Sequence, residues 1–439
     1  MNNILAMNKF NKQEFYDFIS YIFMFLIMVS LVLTKILDTM NLIFFISIVV
    51  FFVFRSKFVL DNNYIKLLIY VFFLYFVLGI SNVFFNTFSI KYFFEEFNER
   101  VASIVSVAFF LYILIKVKPK NYTLLFSSYG LSIGVLLVII LEYLDHGSVI
   151  FSPSFRAGSD YSSGYLIFGV FSTLSISLIG AVLYWSLLNK KNSHFFVSLF
   201  LIFSCLLGSF LSGTRGAWLG LPEIIIGWGF IIFLLLRYNN KTYLNLLYLL
   251  TIMILSLFLW KLVSDKVTDR FNLAISNVED YFSGNPNTSI GLRLVMYESA
   301  ITSIAKNPLF GVGAQNMKSE VRKGTKLIFE EKFGIENKSI SSEDVHNQYL
   351  QEAMERGLIS SLGLLFMQIY FFVFFYKRLS YENLWAMAGV IFIISSSVSM
   401  MSYSWLRFHD GMFFYFVILT LLFYGCNNFK ISNLDTNYV

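Results

Sequence analysis

The chain has 439 residues, of which 57% are hydrophobic and only 14% charged, with 52 phenylalanines and a formal net charge of +6. This balance excludes a soluble globular domain and leaves a polytopic integral membrane protein. Its two cysteines, Cys205 and Cys426, each sit inside an apolar run, which excludes a disulfide framework and a thiolate metal site.

Set against the roughly 20 residues that cross a bilayer, the apolar segments predict an all-α fold of about twelve spans. They lie near residues 16–35, 39–54, 65–85, 101–116, 122–144, 163–188, 194–212, 216–236, 243–263, 356–376, 382–402 and 411–426. The first apolar run, 18–33, lacks a small-residue cleavage site and reads as an uncleaved span.

With the N-terminus in the cytoplasm, 15 basic residues fall on short cytoplasmic segments, among them Lys118, Lys120, Lys190, Lys191, Lys377 and Arg378, against 6 on short outer loops. The bias predicts both termini inside and the large loop between spans 9 and 10 outside. The same scatter of charge over short inner loops points to topology and anionic headgroups, with no nucleic-acid partner. The expected organisation is 1–263 for spans 1–9, 264–355 for a helical periplasmic loop domain, and 356–439 for spans 10–12 and a cytoplasmic tail.

Polar residues near the membrane are the candidates for chemistry. Arg156, in Ser152-Pro-Ser-Phe-Arg-Ala-Gly158, is either an ordinary outer-loop arginine or part of a glycan or phosphate path. Arg215, in Ser212-Gly-Thr-Arg-Gly-Ala-Trp-Leu-Gly220, joins the seventh and eighth spans almost without a loop; it is either a snorkelling arginine or a fork for a membrane-tethered phosphate. Glu223 lies inside the eighth span and is expected to face the bundle interior, with no role assigned.

In the large loop, Thr288 and Ser289 are suitable caps for a helix that carries Arg293 and ends before Pro308. Asn307-Pro-Leu-Phe-Gly-Val-Gly313 lacks the strand and helix context of a nucleotide loop and reads as a structural turn. Ser341-Ser-Glu-Asp344 matches a capping box for a helix whose first turn would hold His346 and which would stop at Gly357. Of the four histidines, the topology puts His194 inside and His146, His346 and His409 outside. Asn347 is either a helix-start residue or a sugar ligand.

Taken together, Ser212-Gly-Thr-Arg-Gly-Ala-Trp-Leu-Gly220, Asn307-Pro-Leu-Phe-Gly-Val-Gly313 and His346-Asn-Gln-Tyr-Leu-Gln-Glu-Ala-Met-Glu-Arg-Gly357 resemble the three signature blocks of the O-antigen ligase and polymerase superfamily. Thr288-Ser-Ile-Gly-Leu-Arg-Leu-Val-Met-Tyr-Glu298 is similar to the corresponding segment of enteric ligases, which favours ligase over polymerase. The resemblance implies a GT-C-like, inverting, metal-independent glycosyltransferase of the bacterial inner membrane without a cofactor. It would move glycan from an undecaprenyl pyrophosphate-linked O-antigen donor to a lipid A-core acceptor on the periplasmic face. It also implies that Arg215 and Arg293 bind the donor pyrophosphate and that His346 serves the acceptor hydroxyl.

The residues suit that chemistry. Two arginines can stabilise a departing pyrophosphate, and a neutral imidazole can take the proton of an attacking hydroxyl. Asp265, Asp269, Glu279 and Asp280 are dispersed and predict no metal. No nucleophilic carboxylate pair of the retaining kind is visible. The alternatives are an O-antigen polymerase or protein O-oligosaccharyltransferase, and, less favoured, a transporter of lipid-linked sugars, which would show repeated halves or paired broken spans.

Overall fold

A computed structural model of the protein describes residues 12–53, 63–85, 105–116, 121–238, 261 and 264–428. Every regular element among them is helical. The helices are α1 (Lys12–Ser30), α2 (Thr39–Val53), α3 (Asn63–Phe85), α4 (Val105–Lys116), α5 (Asn121–His146), α6 (Tyr165–Leu188), α7 (Asn192–Leu211) and the single turn α8 (Arg215–Trp218). They continue with α9 (Leu221–Tyr238), α10 (264–282), α11 (Ser289–Lys306), α12 (Met317–Phe333), α13 (Gln348–Tyr376), α14 (Leu384–Met400) and α15 (His409–Asn428).

A helix occupies each position where a span is expected except 243–263, which lies outside the described residues apart from residue 261. Among the described residues five helices are long and apolar enough to cross a membrane: α5 with its short 3-10 extension, α6, α7, α13 and α15. The packing separates inner from outer helices. The apolar window of α6 is 94% buried, against 50% for α7 and for α13, so α6 is enclosed by protein while the other two present a face outward. Around α6 pack α5, α7, α9 and α14, and α14 in turn carries α13 and α15. Aromatic stacking closes the contacts, with Phe171 on Phe414 at 4.2 Å and Phe374 on Phe423 at 4.1 Å between ring centroids.

Between α9 and α13, the helices α10, α11 and α12 are amphipathic rather than uniformly apolar. They bury two small clusters, one of Met296, Ala300, Val312, Met317, Val321, Val345 and Met354, the other of Tyr281, Val295 and Phe329. Each valine, methionine or phenylalanine among them contributes about 1.5–3 kcal/mol when fully buried. Because Met354 belongs to α13, the first cluster seats this segment on the start of that helix, and buried Val345 fixes the backbone beside His346.

Local signals decide where the helices begin. Thr288 caps α11 as expected, its Oγ1 accepting from Gly291 N at 3.1 Å, and the helix ends two residues before Pro308. The start of α13 differs from expectation. Residues 341–347 are not helical; Ser342 turns onto Asp344, and the cap is Asn347, whose Oδ1 accepts from Tyr349 N and Leu350 N, each at 3.0 Å. Asn347 wins because its neighbours support it: Gln351 reaches back to Val345 N at 3.0 Å, satisfying a donor that a helix begun at Ser341 would have used. Gly357, with φ of 85°, breaks α13 into a nine-residue head and the long apolar helix.

Candidate functional site

Five chain segments meet where α5, α7 and α14 end and α6, α9, α13 and α15 begin. The first is the loop after α5, which carries Arg156. Its guanidinium lies over the ring of Tyr165 at 4.6 Å, and the backbone next to it is pinned by Ala157 N donating to Leu211 O at 3.1 Å. The second is the turn between α7 and α9. There Arg215 donates from Nη2 to Ser289 Oγ at 3.1 Å, while its Nη1 is buried without a hydrogen-bond partner.

The third segment is α10, whose basic residues the sequence reading did not single out. Lys266 is only 1% exposed, and its amine donates to Phe155 O and to Leu211 O, the latter at 2.8 Å. It thus ties the Arg156 loop to the end of α7. One turn on, Arg270 donates to Pro153 O at 3.1 Å. The signal was present as Lys266 and Arg270 four apart on one helical face, but only the fold shows which loops that face meets.

Arg293, on α11, completes the cationic group. Burial, and then the charges of Arg293, Arg270 and Arg156, hold the Arg215 guanidinium below its ordinary range. Burial followed by Arg270 and Arg156 pushes Lys266 down to about 7. Among the described residues none of Arg156, Arg215, Arg270 and Arg293 has a carboxylate at ion-pair distance. Assembling like charges with partial burial is costly. The arrangement therefore suits an anion of multiple charge, for which guanidinium forks supply paired donors.

His346 forms the fifth part. It has φ of 57°, the left-handed region, which costs a non-glycine residue roughly 1–2 kcal/mol. Three contacts hold it there: Asp344 Oδ1 accepts from His346 N at 2.7 Å, Tyr297 OH donates to His346 O at 3.0 Å, and the imidazole stacks on Tyr403 at 6.0 Å. Its Nδ1 is 3.4 Å from Asp344 Oδ2, without hydrogen-bond geometry. Burial holds the imidazole below its ordinary pKa; Asp344 works against that and Arg293 with it. The neutral form, the one that can accept a proton, is thereby favoured. Asp344 and Tyr403 were not predicted. The first was legible as an acid two residues before a histidine, the second only through the fold.

Asn347 stands at the same place with its side chain already engaged, since besides capping α13 it donates to Met401 O at 2.9 Å. The turn block at 307–313 packs backbone against backbone on the α13 break. Val312 N donates to Met354 O at 2.8 Å, Gly313 N to Glu355 O at 2.9 Å and Leu358 N to Pro308 O at 2.8 Å. A Cβ on Gly311 would stand 2.6 Å from Gly357 N, and one on Gly357 2.0 Å from Leu309 O. Both positions need glycine for approach as well as for their positive φ. The structural-turn reading of this block accounts for its residues. Of the other histidines, His194 bonds Tyr129 at 2.9 Å and His409 lies beside Asp410 at 3.3 Å. Neither is among the groups that act on this cluster.

Comparison with known proteins supplies an independent line. Residues 197–365 match the family described as O-Antigen ligase, a stretch that includes Arg215, Lys266, Arg270, Arg293, Asp344 and His346. The chain is 24% identical to an O-antigen ligase of Escherichia coli K12 over 326 residues, 73% of this chain and 71% of that one. It is 31% identical over 223 residues to an uncharacterised protein of Haemophilus influenzae, 49% of this chain and 53% of that one, so the match spans about half the length of that relative.

Proposed function

We propose that this chain, a member of the O-antigen ligase superfamily, is itself an O-antigen ligase. It would transfer glycan from an undecaprenyl pyrophosphate carrier to a lipid A-core acceptor, at the periplasmic face of the bacterial inner membrane, with about twelve spans and the 264–355 segment outside. The observation that carries the reading is the arginine group, without carboxylate partners among the described residues, beside a half-buried histidine whose pKa is held below its ordinary value.

In this reading Arg215 and Arg293 hold the donor pyrophosphate, with Arg156 and Arg270 lining its approach. A hydroxyl of the acceptor sugar attacks the anomeric carbon from the face opposite the pyrophosphate. The new C–O bond forms as the old one breaks, its electron pair leaves on the pyrophosphate oxygen, and the configuration inverts. The hydroxyl proton passes to His346 Nε2, with Nδ1–H turned to Asp344, whose carboxylate stabilises the imidazolium that results. The arginines neutralise the growing negative charge, so the step is assigned no metal. Asn347 acts here by fixing the end of α13 beside the imidazole.

The test is transfer in vitro from purified lipid-linked glycan to lipid A-core, in the presence of a chelator, by wild type and by His346→Ala. Wild-type turnover by His346→Ala would remove the mechanism. A protein acceptor used in preference to lipid A-core would move the chain to the oligosaccharyltransferases, and extension of the carrier-linked glycan itself to the polymerases. Sidedness is read separately from reporter fusions at Lys326, expected outside, and at Lys190, expected inside.

A further inference from the structure

At the end of α5, away from the arginine group, three side chains converge: Glu142, His146 and Asp160. Glu142 is fully buried. Its Oε1 accepts from Gly158 N at 2.8 Å and from Asp160 N at 3.3 Å. Its Oε2 is buried and has no hydrogen-bond partner. That orphan oxygen lies 3.8 Å from His146 Nε2, which in turn is 2.9 Å from Asp160 Oδ2. One ligand atom from each residue is within 4.8 Å of the other two.

A buried carboxylate oxygen left without a donor is rare in a native fold and points to a missing water or ion. Here the oxygen faces an imidazole nitrogen and a second carboxylate, a donor set for a cation. Around a tetrahedral ion with bonds near 2.0–2.2 Å, ligand atoms stand roughly 3.3–3.5 Å apart. The separations of 2.9 and 3.8 Å from His146 bracket that value, and the two carboxylate oxygens are within 4.8 Å of each other, so side-chain rotations would close the site. Glu142 and His146 lie four apart on one helical face, and Asp160 comes from the loop opposite. His146 and Asp160 are partly exposed, which leaves an entry path.

We propose that Glu142 Oε2, His146 Nε2 and Asp160 Oδ2 form a divalent cation site that fastens the Arg156 loop to the end of α5. Two carboxylates and one neutral imidazole suit Zn2+ or Mn2+ better than the harder cations that take only oxygen. The cation satisfies the orphan oxygen and offsets the two negative charges. It bonds the loop four residues beyond Arg156, while Ala157 N on Leu211 O holds it on the other side. The site is structural and takes no part in a transfer step.

The experiment uses the full chain, purified in detergent, stripped with a chelator and desalted. Zn2+ and Mn2+ are titrated separately, with bound metal per chain and unfolding temperature as readouts. One equivalent of at least one of the two should survive desalting and raise the unfolding temperature by roughly 2–5 °C. Asp160→Asn and His146→Ala, at partly exposed positions that leave the fold intact, should lose both the equivalent and the shift. His409→Ala, whose His–Asp pair is not part of this cluster, should keep them. A wild type that retains neither metal, or Asp160→Asn and His146→Ala chains that retain the same equivalent and shift, overturns the site. Neither readout depends on glycan transfer. A divalent requirement for transfer that persists in Asp160→Asn belongs to the reaction and not to this site.

Discussion

Two charged clusters built partly from the same signature block stand at opposite extremes of pairing. In the head of α13, Arg356 is 5% exposed and bonds Glu352 at 3.2 Å and Glu355 at 2.6 Å. Those carboxylates also accept from Gln351 at 2.7 Å, Ser360 at 2.9 Å and Tyr75 at 3.0 Å. Cation, anions and neutral donors pair with one another there, so the charges are balanced within the cluster. Around Arg215 the structure gathers cations whose hydrogen bonds, among the described residues, go to backbone carbonyls and a hydroxyl. A closed network specifies a fold; an open one costs free energy until a ligand arrives. The block His346–Gly357 thus divides within a few residues, with His346 facing the open cluster and Glu352 to Arg356 building the closed one.

The contrast breaks first at the arginines. Arg215→Ala and Arg293→Ala should abolish transfer while full-length protein still accumulates in the membrane, because the open cluster contributes little to folding. Arg215→Lys and Arg293→Lys should restore little, since an ammonium keeps the charge but loses the paired donors. Full activity in both lysine variants would return Arg215 to the reading of a snorkelling side chain. Next in size is His346→Ala, expected to lower turnover by roughly 100- to 10,000-fold with donor binding near wild type, and His409→Ala should leave turnover unchanged. The imidazole's depressed pKa sets a sign. Because the neutral base survives to lower pH, the acid limb of the turnover profile should fall below the ordinary histidine value of about 6.5. A limb at or above that value would count against His346 as the base.

Much of this was legible in the sequence, and what was missed has a physical pattern. Apolar run length located the helices because bilayer thickness fixes it, and the Thr288 cap and Pro308 stop are local signals that the fold obeys. The Ser341 capping box failed because Asn347, with Gln351 reaching back, offered the same backbone donors a better set of acceptors. Arg156 was singled out by its charge near a membrane, and Arg215, Arg293 and His346 by that charge together with the family resemblance of the blocks that hold them. Their meeting, and the roles of Lys266 and Arg270, depend on contacts between segments as much as 117 residues apart, as in Arg270 to Pro153, which no local window contains. Glu142 was missed for the same reason, since a glutamate near the end of an apolar helix carries no mark until the loop returns to it.

The closed cluster gives a stability effect where the open one gives a catalytic effect. Glu352→Ala leaves the Arg356 guanidinium with Glu355 alone and takes the acceptor from Tyr75 and Ser360; it should destabilise the protein by up to about 3–5 kcal/mol, the range for breaking one side of a buried ion pair. The double change Glu352→Gln with Arg356→Met should recover part of the loss. Thermal unfolding of the purified variants checks both. Turnover per folded molecule should stay closer to wild type than in any arginine variant of the open cluster, and an equal loss in both clusters would erase the distinction.

Lys266 sits between the two cases and supplies the smallest and most discriminating effect. Its amine is buried like a structural group, yet its neighbours are cations, and its pKa is pushed down to about 7. An anionic donor favours the charged amine and so raises that pKa, which means that binding takes up a proton. By linkage, affinity is greatest below pH 7, where the amine is already charged, and declines as pH rises through the free value, by at most about tenfold per unit. A prenyl diphospho-sugar is the suitable donor, because both its phosphates stay ionised across the neutral range and add no titration of their own. Its KM should therefore climb between about pH 7 and 9 in wild type. Lys266→Met keeps the bulk of the side chain, and Leu211 O retains its bond from Ala157 N at 3.1 Å, so the turn survives. That variant should show a weaker but pH-flat KM with a smaller change in kcat. A climb of the same size in Lys266→Met would assign the titration to another group and leave Lys266 as a purely structural tie.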